Sequence, residues 1–246
     1  MKLSVGQHAP DFTLPSHLDK EITLSDLRGK TVVMAFFPRA WTPVCSGQIP
    51  SYQVFLPKYT ELDVQMLGLS IDHVPCLKAW ADSLGGITYP LLSDFWPHGE
   101  VALKYGVLRS EGRSERALFI IDDNGFIRYI DVHDIDDQPD NKVLFTEIKK
   151  LRPGYIEEVI DPAEIKLPHG GIVMYCTKWC PDCRRARLWL NEKGLKYTEV
   201  DVMSTVGADD QIRLWTGGNL VTPTFDIDGQ VVIDFDEDKL REVLKI

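Results

Sequence analysis

After Leu151 the alternation of apolar and amphipathic stretches stops, and from Ile172 it starts again. The intervening "RPGYIEEVIDPAEIKLPHGG" carries three prolines and closes on a glycine pair, a composition that continues neither a strand nor a helix. A chain of 246 residues divided in this way folds as two α/β domains of unequal size. The boundaries expected are 1–152 for the first domain, 153–171 for a linker and 172–246 for the second.

In the first domain, "KTVVMAFFP" (Lys30–Pro38) and "DVQMLGLSI" (Asp63–Ile71) are apolar runs bounded by breakers, which predicts buried strands. "HVPCLKAWADSLG" opens with a proline and ends on glycine, as a helix does. "RALFIIDDNGFIRYIDV" predicts two strands joined at Asp123-Asn124-Gly125, and "NKVLFTEIKKL" an amphipathic helix. "SGQIPSYQVFLPKYTEL" has helical spacing, with Pro50 expected in a first turn or at a kink. The second domain runs strand ("IVMY"), helix ("PDCRRARLWLNEKG"), strand ("KYTEVDV"), helix ("GADDQIRLWTG"), hairpin ("TPTFDIDGQVVID") and helix ("DEDKLREVLKI").

A net charge of −10 with no long basic stretch excludes a nucleic-acid or anionic-membrane partner. Apolar runs such as "VVMAFF" are too short to span a bilayer. "MKLSVGQHAPDF" has no apolar signal core, so the expected compartment is the cytoplasm. Five cysteines in that setting point to redox chemistry or metal binding rather than structural disulfides.

Two of the thiol settings carry chemistry. In "FPRAWTPVCSGQIP", Cys45 follows a strand and falls where a helix starts, so unpaired backbone N–H groups and the helix dipole favour its thiolate. Thr42 precedes it by one turn, which lets its hydroxyl face the sulfur. Arg116, at the head of a buried strand, offers a cation to the thiolate and to the departing oxygen of a peroxide. A lone buried cysteine after a strand is also compatible with inert packing. In "MYCTKWCPDC", Cys180 falls in a first helical turn with Cys183 one turn on, and Lys178, Arg184 and Arg185 are close in sequence. That favours a nucleophilic Cys180; the alternative is a zinc site completed by Cys176 and His169.

Pro38-x-x-x-Thr42-x-x-Cys45, with "GQHAPDFTL", "VVMAFFP" and "ERALFIID" in order, resembles the peroxiredoxins (AhpC/TSA family) over roughly residues 3–152. "PLLSDFWPHGEVALKYGV" resembles their one-cysteine, alkyl hydroperoxide reductase E type. The resemblance implies a thioredoxin-like fold, Cys45 as the peroxidatic nucleophile, and Thr42, Arg116 and Pro38 completing the site. Many relatives carry glutamate where this chain has Gln48, which touches fine tuning only. Their common resolving position, five residues after the nucleophile, is Pro50 here. No cysteine lies between Cys76 and Cys176, so Cys76 is the one internal candidate for resolving.

Residues from about Ile172 to Ile246 resemble glutaredoxins and mycoredoxins, a second thioredoxin-like fold in which Thr222-Pro223 matches the cis-proline facing the C-x-x-C. That implies Cys180 as the attacking thiol, with Lys178, Val221, Thr222 and Pro223 contacting a thiol substrate. Ile233-Asp234 stands where many glutaredoxins have a glycine pair, which weakens glutathione specificity. Cys176 takes a usual Ser/Thr position and is expected to be packing.

Together these resemblances imply a peroxiredoxin–glutaredoxin hybrid: a thiol-dependent peroxidase acting on hydrogen peroxide and organic hydroperoxides through Cys45 and recycled by Cys180/Cys183. No bound cofactor or metal is expected. Glutathione or a similar low-molecular-weight thiol, or a disulfide reductase, is the expected electron donor, and a homodimer the expected assembly. Two other functions fit the same residues. One is a general thiol–disulfide oxidoreductase; the other is a sensor or chaperone switched by Cys45 oxidation.

Overall fold

The computed structural model describes residues 3–152, 166–178, 180–202 and 204–246. The chain divides into two compact units, Met1–Tyr155 and Ile156–Ile246. Most of the segment expected as a linker, 153–165, lies outside the described residues. Contacts of the second unit begin before Ile172: Leu167 packs on its core, and the Gly171 N–H donates to Asp228 Oδ1 at 2.7 Å.

The first unit opens with a short antiparallel pair, β1 (Thr13–Pro15) and β2 (Glu21–Thr23). It continues through β3 (Thr31–Phe36), α1 (Pro43–Val54), α2 (Leu56–Glu61), β4 (Val64–Ser70) and α3 (Val74–Ser83). β5 (Leu91–Ser93), α4 (Glu100–Lys104), β6 (Arg116–Ile121), β7 (Ile127–His133) and α5 (Asn141–Lys150) complete it. The main sheet has five strands in the order β5-β4-β3-β6-β7, with β5, β4 and β3 parallel and β6 and β7 antiparallel to their neighbours. Every side chain of β3 and β6 is buried, as the unbroken apolar runs required of central strands. One face carries Val32, Met34, Phe36, Ala117, Phe119 and Ile121 in a single apolar cluster with Leu67, Leu69 and Tyr105. Each large side chain buried there contributes about 1.5–3 kcal/mol.

Helix α1 starts where Pro43 fits the first turn, and Thr42 is its N-cap residue. Pro50 stands in the interior of α1, not in a first turn. It has no N–H for the Ser46 carbonyl. Neighbouring carbonyls find side-chain donors instead: the Ser51 hydroxyl bonds Gln48 O at 2.6 Å and the Tyr89 hydroxyl bonds Ile49 O at 2.8 Å.

The second unit comprises β8 (Ile172–Cys176), α6 (Pro181–Glu192), β9 (Tyr197–Asp201), α7 (Ala208–Thr216), β10 (Thr224–Ile227), β11 (Gln230–Ile233) and α8 (Glu237–Leu244). Its four-stranded sheet has the order β11-β10-β8-β9, with β8 and β9 parallel and β10 antiparallel to both neighbours. Met174, Cys183, Ala186, Leu190, Phe225 and Leu240 form the core on one face, and Val173, Tyr175, Val200 and Ile212 on the other. Both units have the mixed α/β, thioredoxin-like architecture. Among the described residues no helix is long and apolar enough to cross a membrane.

Candidate active sites

Cys45 is the third residue of α1 and is 0% exposed. The turn before it places donors and positive dipole at this end of the helix. Arg116, the first residue of β6, is also buried, and its Nη1 lies 3.5 Å from Cys45 Sγ. Nε and Nη2 of the same guanidinium donate to the Ile135 carbonyl at 3.1 and 2.7 Å, which fixes the plane of the fork. Nη1 also donates to Gln48 Oε1, and Gln48 Nε2 donates to the Tyr52 hydroxyl at 2.9 Å. Burial pushes the Tyr52 phenol well above its ordinary range, so it stays neutral.

The loop from β3 to α1 is held from below. Asp72 Oδ2 accepts the Ala40 N–H at 2.8 Å and the Ser70 hydroxyl at 2.8 Å, and the Ser93 hydroxyl donates to Asp72 O at 2.7 Å. Pro38 is buried at the end of β3. The Thr42 hydroxyl donates to Arg39 O at 3.0 Å, so its proton is directed back along the loop and not at the sulfur as its spacing suggested. Cys76, in the first turn of α3, is half-buried; its N–H donates to His73 Nδ1 at 3.1 Å. Burial and then the Asp72 carboxylate push the Cys76 thiol up, against a hydrogen bond from the Trp41 side chain. Trp41 takes a left-handed φ of 66° in the loop just before Cys45, so Cys76 adjoins the same loop.

In the second unit Cys180 is the N-cap of α6, and its sulfur accepts the Cys183 N–H at 3.2 Å. The same sulfur lies 3.0 Å from Thr222 O. The Thr222-Pro223 peptide is cis, as the sequence pattern suggested. The Cys183 thiol hydrogen-bonding to it leads the effects that bring Cys180 down to about 7, and burial opposes them. Burial drives Cys183 the other way, far above the ordinary thiol range. Hydrogen bonds thus lead where neighbouring basic side chains were expected; Arg185 is engaged by Asp182, with Nε 3.0 Å from Oδ1. Cys176 is buried, but in a polar setting: Arg187 Nη2 lies 3.2 Å from its sulfur, which donates to Glu199 Oε2 at 3.3 Å. Burial and the Glu199 carboxylate push its thiol to about 12. Among the described residues no group of three or more His, Cys, Asp or Glu is placed to hold a metal ion.

Residues 5–130 match the model of the AhpC/TSA family. The chain belongs to that family. Residues 172–232 match the glutaredoxin model. The AhpC/TSA segment is 41% identical over 132 residues to alkyl hydroperoxide reductase E of Mycobacterium tuberculosis (strain ATCC 25618 / H37Rv), covering 53% of this chain and 86% of that one. It is 37% identical over 145 residues to peroxiredoxin-1 of Gallus gallus, covering 54% and 72%. The crystal structure of Enterococcus faecalis AhpC superimposes with a TM-score of 0.58 at 27% identity, over 62% of this chain and 93% of that one. A peroxidase of the peroxiredoxin type follows from this membership, with a thiol-redox module of the glutaredoxin type behind it.

Within the AhpC/TSA unit the structure brings Cys45, Arg116 and Gln48 together, with the Thr42 hydroxyl donating to Arg39 O. In the glutaredoxin-like unit it gathers Cys180, Cys183, Thr222 and Pro223, with Val221 receiving the Thr224 hydroxyl at 2.9 Å, while Lys178 is exposed on the loop before α6. Sequence reasoning missed Tyr52, the Ile135 carbonyl and Asp72. Tyr52 carried a usable signal, since it lies one helical turn after Gln48. The other two are brought in by tertiary structure alone.

Proposed function

We propose that this chain reduces hydroperoxides, hydrogen peroxide and organic hydroperoxides alike, through Cys45 and is recycled through Cys180 and Cys183. The observation that carries the first half is the Arg116 guanidinium 3.5 Å from a cysteine at a helix N-terminus. The Cys45 thiolate attacks the hydroxyl oxygen of the peroxide, forming an S–O bond as the O–O bond breaks. The electron pair leaves with the second oxygen, which takes a proton and departs as water or an alcohol. Arg116 offers its donors to both the incoming sulfur charge and the outgoing oxygen. Pro38 and Thr42 shape the loop around them.

The product is Cys45 sulfenic acid, which must be reduced before a second oxidation. Cys180 thiolate attacks its sulfur and expels hydroxide, or attacks a thiol cap placed there first by a low-molecular-weight thiol. On the direct route Cys183 then attacks the Cys45–Cys180 disulfide and releases Cys45 thiolate; on the capped route Cys180 frees Cys45 by taking the cap, and Cys183 then expels the small thiol. Both leave Cys180–Cys183 oxidised until a cellular thiol or reductase opens it. The depressed Cys180 and elevated Cys183 support this order of attack. Lys178, Val221, Thr222 and Pro223 are the proposed contacts for the thiol substrate, and Cys76 is a second route for resolving Cys45. In this reading residues 1–152 are the peroxidase domain, 153–171 the linker and 172–246 the reducing domain. Carrying both thiol centres on one chain makes their encounter independent of protein concentration.

Glutathione or a similar small thiol is the proposed donor. The cytoplasm is the proposed compartment, supported by five free thiols. A homodimer is proposed, supported by the exposed rings of Trp41, Phe95 and Trp96. The test is peroxide consumption driven by a thiol reductant. Cys45→Ser should abolish it; survival of turnover would leave a general disulfide oxidoreductase. Cys180→Ser should stop cycling after one equivalent of peroxide; unchanged turnover would remove the built-in reductant.

A further inference from the structure

Arg116 is 2% exposed, and the groups it donates to are the Ile135 carbonyl, Gln48 Oε1 and the Cys45 sulfur. Among the described residues no carboxylate is paired with it. A buried guanidinium is costly unless an anion accompanies it. The anion its free donor direction meets here is the Cys45 thiolate, once that forms.

Gln48 makes this possible. It is 0% exposed, and its amide is fixed at both ends. Arg116 has only donors to offer, so the amide oxygen must face it. The amide nitrogen then faces Tyr52, whose hydroxyl receives it at 2.9 Å. The Gln48 main chain is tied as well, through the Ser51 hydroxyl on its carbonyl and the Asn141 side chain on Ser51.

The other charged groups around the pair are already committed. Asp131 on β7 acts on Tyr52 but is bonded to His133 at 3.2 Å. Asp72, after β4, is occupied by Ala40 and Ser70, Cys76 on α3 is pushed up by burial, and Arg39 in the loop is exposed. Tyr52 on α1 is neutral.

We propose that Gln48 is a positioning residue that aims the Arg116 guanidinium at Cys45 without neutralising it. The full charge of Arg116 therefore stays available to the thiolate and to the departing oxygen. A carboxylate in the same place would keep the geometry, since the Tyr52 hydroxyl can turn to donate, but would compete with the thiolate for the guanidinium. This inference rests on the peroxidase reading, and deepens it by naming what sets the reactivity of Cys45.

The experiment uses the full chain as Gln48→Glu and Gln48→Leu. The first readout is the pH dependence of Cys45 alkylation by iodoacetamide, followed at that residue by mass spectrometry. Gln48→Glu should move the midpoint up by roughly one pH unit, the lower end of what an opposing charge does at contact range. The rate of sulfenic acid formation at a fixed pH below the midpoint should fall about tenfold. Gln48→Leu removes the hydrogen bonds but adds no charge, so its midpoint should move less than that of Gln48→Glu. An unshifted midpoint in Gln48→Glu, or equal shifts in both variants, overturns the proposal. Alkylation does not involve peroxide. A wild type that alkylates normally but never consumes peroxide would defeat the peroxidase reading and leave the alkylation comparison standing.

Discussion

Asp72 Oδ2 receives the backbone N–H of Ala40 at 2.8 Å and thereby ties the loop leading to Cys45 to the end of β4. Ala40 is buried, so no water replaces that acceptor without rearrangement. Asp72→Ala should lower stability by about 1–3 kcal/mol, the cost of a buried donor left unpaired. It should also slow the reaction of Cys45 with peroxide, because the loop sets where the helix starts. Asp72→Asn, which keeps one acceptor oxygen, should recover most of both. Urea unfolding and stopped-flow oxidation measure the two effects separately; a full-speed, fully stable alanine variant would show that the loop is held by other contacts.

Arg116 acts with three nitrogens at once, two on Ile135 and one toward Cys45 and Gln48. A lysine ammonium is a point charge and cannot occupy both ends of that fork. Arg116→Lys should therefore fold but react with peroxide about 10²-fold more slowly, as for loss of one donor to a developing anion. Rapid-mixing fluorescence on the reduced protein reads this directly. A change of less than threefold would mean that charge alone, wherever placed, is sufficient.

Asn141 joins α5 to the helix that carries Cys45. The Tyr59 hydroxyl donates to its Oδ1 at 3.2 Å, and its Nδ2 donates to Ser51 Oγ at 3.1 Å. All three side chains are buried. Asn141→Ala should cost about 1–3 kcal/mol through the stranded hydroxyls. Asn141→Ala combined with Ser51→Ala should cost less than the sum of the two single changes, since they share a network. Denaturant midpoints of the four proteins give the coupling, and strict additivity would deny it.

The strands that matter most were legible because they are buried on both faces: "VVMAF" and "ALFII" leave no alternative to a central strand. β1, β2 and β5 were not, being three residues each and held by partners distant in sequence. His17 receives the Leu91 N–H at 3.1 Å across 74 positions, and no local pattern encodes that. The same division runs through the sites. Cys45, Arg116, Cys180 and Cys183 stood out because their residue types and spacing are chemically unusual. Thr42 shows the limit of spacing: one turn places its Cα near the sulfur, but the rotamer is decided by the Arg39 carbonyl. Cys176 looked like packing, and its Arg187 and Glu199 partners come from the next helix and strand.

The three cysteines of the glutaredoxin-like unit should separate by reactivity. Cys180 titrates at about 7 instead of the ordinary 9, so its alkylation rate should rise through pH 7 and level off by about 8. Cys183, held up by burial, and Cys176, near 12, should stay unlabelled in the folded, reduced protein over the same range. The sign extends to stability. A folded-state value below the unfolded one stabilises the reduced protein above about pH 9, and that gain is lost as pH falls through about 7. Cys180→Ser should remove this portion of the pH dependence. Site-resolved mass spectrometry after brief iodoacetamide exposure at stepped pH tests the order of labelling. A Cys180 midpoint near 9 would mean that the Cys183 N–H and thiol do not stabilise its thiolate in solution.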